Sequence, residues 1–465
     1  MDLLGWHHQL GALEIFSKEI DGREGNYPVL LTALVILIGI SFFAASVFYA
    51  SRNVLLGWYC LLATNAFWIA FGSRQAMLGS LHLDPSDIVS LILLSAGLLR
   101  FSRALGSPGL FRILGSGFIA VFAFSLIRGM LLFGVIPVSN EGRSYIGELL
   151  SLLYFTSIPT DTVTIRKFVR AYLIFGSILV GIAILHYLGL NVGASYEAFA
   201  IDSAEVAKDR ALPAAAAFSI ALCFIFSIGW ITHRRSRRFF AILPAVFVGM
   251  VVLLQHRTVW VVLLVCVTLL PFIDRAVTRR LIPIGILAGI IALCLALWVY
   301  GTSSTASNQF EDSTTNLGTW GWRVDTWDSL LSDDEQTFIS VVAGRSMGTP
   351  MLHYDPIQRV YEEAPVHSEY VNLYMRAGII GLVSFLVFLI RPVFLLFSER
   401  YRRSSLLFPS SSTWCLAIIA IIIYGVTYNF NSNAIPLVGV ATALLLSPEH
   451  GPTAMLCDAG MTPRS

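Results

Sequence analysis

Charged residues are scarce in this sequence: they make up 13% of its 465 residues, whereas an average soluble protein has about 25%. Hydrophobic residues make up 56% of the chain, and its mean hydropathy is +0.73. Because so little polar surface cannot cover a globule of this length in water, the composition excludes an ordinary soluble protein and predicts one that lipid partly covers. The net charge of only +2 gives no indication of a nucleic-acid partner.

Cysteine outside apolar surroundings is also lacking. Of the six cysteines, five lie in apolar runs and the sixth, Cys457, lies near the C-terminus. We therefore expect no structural disulfide. Residues 1–27 are mixed and acidic rather than basic and then apolar, so no cleavable signal peptide is expected.

Long apolar runs, by contrast, are abundant. A helix needs roughly 17–25 residues to cross a bilayer, and thirteen runs reach or approach this length. The sequence therefore predicts an all-α integral membrane protein, a polytopic bundle of about 12–14 transmembrane helices. The runs are 28–50, 54–72, 86–100, 113–135, 142–158, 168–189, 212–231, 239–255, 258–274, 281–300, 376–397, 413–430 and 433–447.

Lysine and arginine are concentrated in alternate connections between these runs. Such an excess marks the cytoplasmic side, so the C-terminus is expected inside and, with thirteen spans, the N-terminus outside. The basic connections contain Arg52; Arg100, Arg103 and Arg112; Arg166, Lys167 and Arg170; residues 233–238; Arg275, Arg279 and Arg280; and Arg400, Arg402 and Arg403.

One long connection, 301–373, lies on the opposite side. It contains eleven acidic residues, three arginines and no lysine, and a connection of this length usually has a function. The predicted organisation is an N-terminal segment (1–27), an N-terminal transmembrane bundle (28–300), a large, partly helical external loop (301–373), C-terminal transmembrane helices (374–447) and a cytoplasmic tail (448–465).

Local patterns predict three elements within this loop. The tryptophan-rich run 320–327 is expected to lie flat at the membrane interface, where tryptophan is enriched. Ser332-Asp-Asp-Glu335 has the form of a capping box and predicts the start of a short helix. Residues 366–376 are expected to be helical and to continue into the next span.

Four motifs follow one another in the second half of the chain. They are Gln255-His-Arg-Thr-Val-Trp260, Gly321-Trp-Arg-Val-Asp-Thr-Trp327, Gly344-Arg-Ser-Met-Gly348, and a His367-Ser pair followed after nine residues by Gly378-Ile-Ile-Gly381. Their order, spacing and predicted topology resemble the O-antigen ligase and O-antigen (Wzy-type) polymerase superfamily, in which His-Asn/Ser/Gln precedes Gly-x-x-Gly by that spacing. The resemblance extends from about residue 240 to residue 447, and the first half of the chain matches only in general layout.

This resemblance implies a membrane glycosyltransferase that moves a glycan from undecaprenyl diphosphate to an acceptor hydroxyl at the periplasmic face of a bacterial inner membrane. The implied partners are an undecaprenyl-diphosphate-linked oligosaccharide, a glycan or lipid A-core acceptor, membrane lipid and other polysaccharide assembly proteins. No cofactor is expected. The form of the motif at 255–260 favours a surface-polysaccharide, exopolysaccharide or O-antigen polymerase, with a ligase as the alternative.

Arginine and histidine suit the two chemical demands of such a transfer. Arg257 and Arg323 are expected to bind the diphosphate, because a guanidinium group keeps its charge and forms bidentate hydrogen bonds with phosphate oxygens. His367 is expected to be the general base on the acceptor hydroxyl, and direct displacement would invert the anomeric carbon. The alternatives are arginines that reach to the headgroups and a histidine that only hydrogen-bonds the loop.

Further candidates accompany these three residues. His256 adjoins Arg257 and could serve only to orient it. Gly378 and Gly381 would permit close approach of backbone or lipid, with ordinary helix packing as the alternative.

Four more arginines could contact the lipid headgroup or the glycan. Arg345 and Arg376 could instead pair with nearby glutamates, among which Glu362, Glu363 and Glu369 are the candidates. Arg128 and Arg210 could instead reach the membrane surface.

Patterns that bind zinc are lacking: there is no His-Glu-x-x-His and no clustered Cys/His set. The Asp333-Asp334 pair is better explained by the capping box. A metal-independent site is therefore predicted, with arginines in place of a divalent ion.

Two other classes of protein compete with a transferase. A transporter or flippase for lipid-linked glycans predicts charged or broken helices at the bilayer midplane and repeat symmetry, whereas this sequence has no internal repeat and its unusual charges cluster toward the outer face. A structural partner in a polysaccharide assembly complex would leave His367 replaceable.

Overall fold

A computed structural model gives the fold of the chain. The residues it describes are 27–71, 76–78, 81–83, 85–100, 110–190, 192–193, 195–196, 209–233, 242–273, 318–332, 337–355, 360–363, 366–397 and 409–446, with isolated helical positions between 286 and 297. The predicted tail, most of the predicted N-terminal segment and most of the predicted span 281–300 lie outside these residues.

The chain divides into two compact units, Met1–Tyr49 and Ala50–Ser465. The described part of the first unit is helical. All of the predicted site residues belong to the second unit.

Helices predominate, as the composition predicted. In chain order they are α1 (Tyr27–Arg52), α2 (Val54–Phe71), α3 (Pro85–Leu99), α4 (Leu110–Phe133), α5 (Val135–Gly142), α6 (Ile146–Leu153), α7 (Thr162–Tyr187), α8 (Ala214–His233), α9 (Ile242–Leu253), α10 (Arg257–Ile273), α11 (Gly318–Leu331), α12 (Phe338–Ala343), α13 (Glu369–Phe397), α14 (Ser411–Tyr424) and α15 (Pro436–Leu446).

Three short antiparallel hairpins lie in the connections. The first pairs β1 (Ala76–Leu78) with β2 (Leu81–Leu83), the second pairs β3 (Ser195–Tyr196) with β4 (Asp209–Arg210), and the third pairs β5 (Leu352–Asp355) with β6 (Val360–Glu363). In the third hairpin, His353 is opposite Glu362. This hairpin lies within the predicted external loop, next to α11.

Four described helices are long and apolar enough to cross a membrane: Val54–Phe71, Ile113–Phe133, Thr162–Tyr187 and Glu369–Leu396. Shorter apolar helices accompany them: Leu37–Arg52, Pro85–Leu99, Ala214–Trp230, Ile242–Leu253, Arg257–Ile273, Ser411–Tyr424 and Pro436–Leu446. Large apolar side chains are exposed on the long helices, among them Leu131 at 82% and Phe394 at 72%. Such surfaces suit lipid rather than water, so these helices indicate a membrane protein.

Packing in the second unit centres on α13 and α8. Helix α13 packs against α4, α12 and α14, and α8 packs against α7, α9 and α14. Polar caps start several of these helices: the Asp161 carboxylate accepts the Thr164 amide of α7 at 2.9 Å, and the Ser410 hydroxyl accepts the Thr413 amide of α14 at 3.3 Å. Each cap satisfies a backbone donor that the helix leaves unpaired.

One predicted span is not a single helix. Residues 142–158 contain a 3-10 turn (Arg143–Tyr145), α6 and a second 3-10 turn (Phe155–Ser157). Helix α6 has only eight residues and is buried from Gly147 to Leu153. Apart from Glu148 and Ser151 the helix consists of apolar residues and one glycine, so in the sequence it resembles a lipid-facing span.

The described residues do not test the predicted helix start at Ser332. Helix α11 continues to Leu331, and the Ser332 hydroxyl donates to the Asp328 carbonyl at 2.5 Å. The next helix, α12, begins after Thr337, whose hydroxyl accepts the Ser340 amide at 3.2 Å. The remaining capping-box residues lie outside the described part of the chain. The predicted helix at 366–376, by contrast, is confirmed from Glu369 onward, where α13 begins.

Helix α11 has three distinct sides. Trp320, Val324 and Leu331 are exposed at 47%, 41% and 44% and follow the spacing of one helix face, whereas Thr326 and Leu330 on another face are 1% and 2% exposed. A third side contains the exposed aspartates at 325 and 328. An exposed apolar side that includes a tryptophan suits a membrane interface, where tryptophan is enriched.

We expect the apolar side of α11 to contact lipid. In proteoliposomes, a photoreactive benzoylphenylalanine at Val324 should cross-link to phospholipid, while the same group at Asp325 should give little lipid adduct. Mass spectrometry of the adducts measures both. Protein adducts at 324, or equal lipid labelling at 324 and 325, would contradict an interfacial α11.

Candidate functional site

His367 lies two residues before α13, beside the loop helix α11. Its side chain is half-buried, and its ring centroid is 5.8 Å from that of Trp322. Burial, and then the positive charge of Arg323, lower the pKa of His367 to about 4. The imidazole is therefore neutral at pH 7 and can accept a proton.

A small hydrophobic cluster brings α11 and the start of α13 together. Leu330 packs with Met351, Val366 and Met375, each of them no more than 6% exposed. Burying these side chains fixes the two segments against each other. Arg323 and His367, which are distant in the sequence, thereby become neighbours.

Arg323 is held by two adjacent residues after α14. Its Nη1 donates to the Thr427 carbonyl at 3.2 Å, and its guanidinium carbon is 4.9 Å from the centroid of the Tyr428 ring. Among the described residues, no carboxylate forms an ion pair with Arg323. Because its partners are neutral, the Arg323 guanidinium can form an ion pair with an anionic ligand.

The turn that carries Arg257 is tightly ordered. Gln255 has a positive φ of 57°, and the Trp260 indole donates to the Val251 carbonyl at 3.0 Å. His256 is 2% exposed, with Nε2 3.0 Å from the Leu212 carbonyl. These contacts place Arg257 at the first residue of α10, and His256 supports the turn rather than facing an open site.

Residues 425–433, which we name the connector, join the three predicted site segments. The Thr427 hydroxyl donates to that of Thr258 at 3.0 Å, next to Arg257, while the Thr427 carbonyl accepts from Arg323.

The connector also contacts the start of α13. The Glu369 amide donates to the Gly425 carbonyl at 3.0 Å, and a Glu369 carboxylate oxygen accepts the Phe430 amide at 2.9 Å. The connector thus links Arg323, the Arg257 turn and the start of α13.

Sequence reasoning missed the connector residues Thr427 and Tyr428. The run Tyr428-Asn-Phe-Asn-Ser-Asn433 is polar and aromatic between two apolar runs, and the predicted topology assigns it to the same side as the external loop. That contrast was the available signal. It was hidden because the apolar run 413–430 included both residues as part of a span.

A second group of arginines supports the loop segment 344–349. Arg128 donates to the Gly344 carbonyl at 2.6 Å and to the Ser346 hydroxyl at 2.5 Å. Arg376, only 3% exposed, donates to the carbonyls of Ser346 at 3.0 Å and Thr349 at 2.7 Å.

Glu141 completes this second group. Its carboxylate forms an ion pair with Arg376 and accepts the Gly348 amide at 2.5 Å. The expected partners of Arg376 in the sequence were Glu362, Glu363 and Glu369, so the structure corrects that alternative. Arg128 and Arg376 use their guanidinium groups to fix the loop on α4 and α13, which is a structural role.

Gly344 and Gly378 let two backbones touch. Gly378 has φ 61° and ψ −167° inside α13 and breaks that helix. A Cβ on it would overlap the Val342 carbonyl, and a Cβ on Gly344 would overlap the Arg376 carbonyl. The close approach expected at Gly378 is therefore present, and the partner is α12 rather than a lipid.

The other candidates have the following contacts. Gly381 is part of α13, and a Cβ on it would overlap the Cβ of Ala377, which lies just before the break at Gly378, and would be 3.9 Å from Val121 of α4. The backbone amide of Arg345 donates to the Met375 carbonyl at 2.6 Å, and its side chain is half-buried. The backbone of Arg210 is opposite Ser195 in the second hairpin, and its side chain is not among those that the structure describes.

No group of three or more His, Cys, Asp or Glu side chains that could hold a metal ion occurs within the described ranges. Near the connector lie the Arg323 guanidinium, the neutral imidazole of His367 beside it, and the Glu369 carboxylate, which accepts the Phe430 amide. Such a set can accept a proton and bind an anion.

No protein-family model and no curated protein matches this chain.

Proposed function

We propose that this chain is an inverting, metal-independent glycosyltransferase of a bacterial inner membrane. It transfers a glycan from undecaprenyl diphosphate to an acceptor hydroxyl at the periplasmic face, and the elongation of a surface polysaccharide, exopolysaccharide or O-antigen is the preferred reaction. The observation that carries the proposal is the neutral His367 next to Arg323, joined through Thr427 to the turn of Arg257. The motif resemblance described above supports the same reaction.

The proposed topology has about 12–14 transmembrane helices, with the loop 301–373 and the connector on the periplasmic side. The alternation of basic connections supports this sidedness. Lipid-linked donors present their diphosphate at that surface, at the depth expected for an interfacial α11. Other polysaccharide assembly proteins are the expected protein partners.

In the proposed step, His367 accepts the proton of the acceptor hydroxyl as its oxygen attacks the anomeric carbon of the donor. The new carbon–oxygen bond forms as the bond to the diphosphate breaks, so the configuration inverts. The electron pair of the broken bond leaves with the undecaprenyl diphosphate. Arg257 and Arg323 bind that diphosphate and stabilise the charge that develops on it.

Arginines in a partly apolar site are reasonable on energetic grounds. An arginine at membrane depth costs about 2.5–3.5 kcal/mol on insertion scales. One hydrogen bond to a charged group contributes roughly 1.5–3 kcal/mol. Two or three such bonds to a diphosphate therefore offset the cost.

The proposal is tested by reconstituting the full chain in liposomes with a synthetic undecaprenyl-diphosphate oligosaccharide. Longer lipid-linked glycan is the expected product, measured by mass spectrometry, and we expect EDTA to leave the rate unchanged. Transfer to added lipid A-core without elongation would identify a ligase instead. Glycan movement across the bilayer without any new glycosidic bond would identify a transporter and exclude the proposed reaction.

A further inference from the structure

Three aromatic rings lie in a nearly parallel stack that ends at Arg323. Phe218 of α8 and Tyr424, the last residue of α14, have centroids 4.0 Å apart and ring planes 8° apart. Tyr424 and Tyr428 follow at 5.1 Å and 14°. The guanidinium of Arg323 covers the Tyr428 ring at 4.9 Å.

The base of this stack is rigidly held. Phe218 and Tyr424 are 0% and 1% exposed, and they belong to two helices that pack directly against each other. Closely packed interior side chains hold their rotamers. Tyr428 is half-buried and belongs to the connector. Its ring nevertheless packs against the buried core through Tyr424.

Arg323 needs such support because its own helix lies at the surface. Helix α11 is anchored through Leu330 and Thr326, while an arginine side chain has several rotatable bonds and loses considerable rotamer entropy when it is held. The Tyr428 ring lies against the guanidinium, and the Thr427 carbonyl accepts a hydrogen bond from its Nη1. The remaining edge can face an anion with its fork already oriented.

We propose that Tyr428 is a positioning residue: its ring, backed by Tyr424 and Phe218, holds the Arg323 guanidinium in the orientation that receives the diphosphate of the lipid-linked donor. This inference rests on the proposed function. Tyr428 itself touches no reacting atom and acts through Arg323.

The first test is steady-state kinetics of Tyr428→Leu and Tyr428→Phe in the liposome assay. Because a cation–π contact contributes modestly, kcat/KM for the donor should fall roughly 2- to 30-fold in Tyr428→Leu. Tyr428→Phe keeps the ring and should stay close to wild type, and KM for the acceptor should not change in either variant. Tyr59→Leu, which removes a 41% exposed tyrosine of α2, is the matched control.

The second test needs no turnover. In detergent-solubilised protein labelled at histidine Cε1, the His367 signal, assigned by its loss in His367→Gln, should titrate closer to the ordinary range in Tyr428→Leu, because a displaced Arg323 acts more weakly on it. Tyr428→Met, similar in volume but without a ring, should shift the titration in the same direction. It also replaces Tyr428→Leu if that variant does not fold.

Each outcome decides the inference. Equal losses of kcat/KM in Tyr428→Phe and Tyr428→Leu, or an unchanged His367 titration in both ring-less variants, would overturn it. If the wild-type chain gives no transfer at all, the proposed function fails. The titration then still shows whether the stack positions Arg323.

Discussion

Replacing His367 by glutamine should lower the rate of glycan transfer by about 10²–10⁴-fold, the usual contribution of a general base. Glutamine can hydrogen-bond the acceptor hydroxyl but cannot take its proton. The loss should appear in kcat, while the affinity for undecaprenyl diphosphate, measured by native mass spectrometry, should remain within a few-fold. His186→Gln is the matched control, since His186 is half-buried like His367 but lies in α7, with its Nδ1 3.0 Å from the Val192 carbonyl. Equal activity of the two variants would remove His367 from the mechanism.

The pH dependence of transfer tests the same role in the unaltered site. A pKa of about 4 for His367 means that the base is unprotonated at every pH well above 4. The rate should therefore be flat from pH 6 to 8 and fall only as the pH approaches the folded-state pKa. In Arg323→Gln, one of the two causes of the lowered pKa is removed, so the acidic limb should move upward. A wild-type limb centred near 6.5 would indicate a solvated histidine and contradict the buried site.

Replacing Gly378 by alanine should impair folding. The backbone conformation at Gly378 is one that only glycine adopts readily, and a misplaced residue there costs about 1–3 kcal/mol. The new methyl group would also overlap the Val342 carbonyl, and overpacking adds about 1–3 kcal/mol. The melting temperature in detergent should fall by several degrees and the yield of monodisperse protein should drop.

Gly181→Ala is the control for this substitution. Gly181 lies in α7, and a Cβ there meets nothing within 4 Å. Alanine is favoured over glycine in a helix by about 1 kcal/mol, so this variant should be neutral or slightly more stable. If Gly378→Ala behaves like Gly181→Ala, the close contact between α12 and α13 does not exist in solution.

Much of the fold could be predicted from local patterns. The composition predicted a helical membrane protein, and the run before Gly378 predicted the start of α13, because helix formation depends on neighbours three and four positions apart. The buried helix α6 was mistaken for part of a span. Hydropathy reports that a segment avoids water and cannot distinguish lipid from protein as its surroundings.

The candidate site was predictable in its residue types and only partly in its contacts. A histidine and arginines in ordered motifs indicated the chemistry for His367 and Arg323. The structural roles of Arg128 and Arg376 could not be inferred, because a guanidinium suits a carbonyl or a carboxylate as well as a phosphate. The presence of Glu141 beside Arg376 decided between those readings.

By itself, the sequence indicated a helical membrane protein and supplied side chains that can accept a proton or bind an anion, since these depend on composition and short spacing. Only the tertiary structure decided that Arg323 is held by residues such as Thr427, 104 positions away, and that Glu141 supports Gly348, 207 positions away. Contacts over such separations follow from which buried faces pack together. The spacing of residues along the chain does not show which faces will pack together.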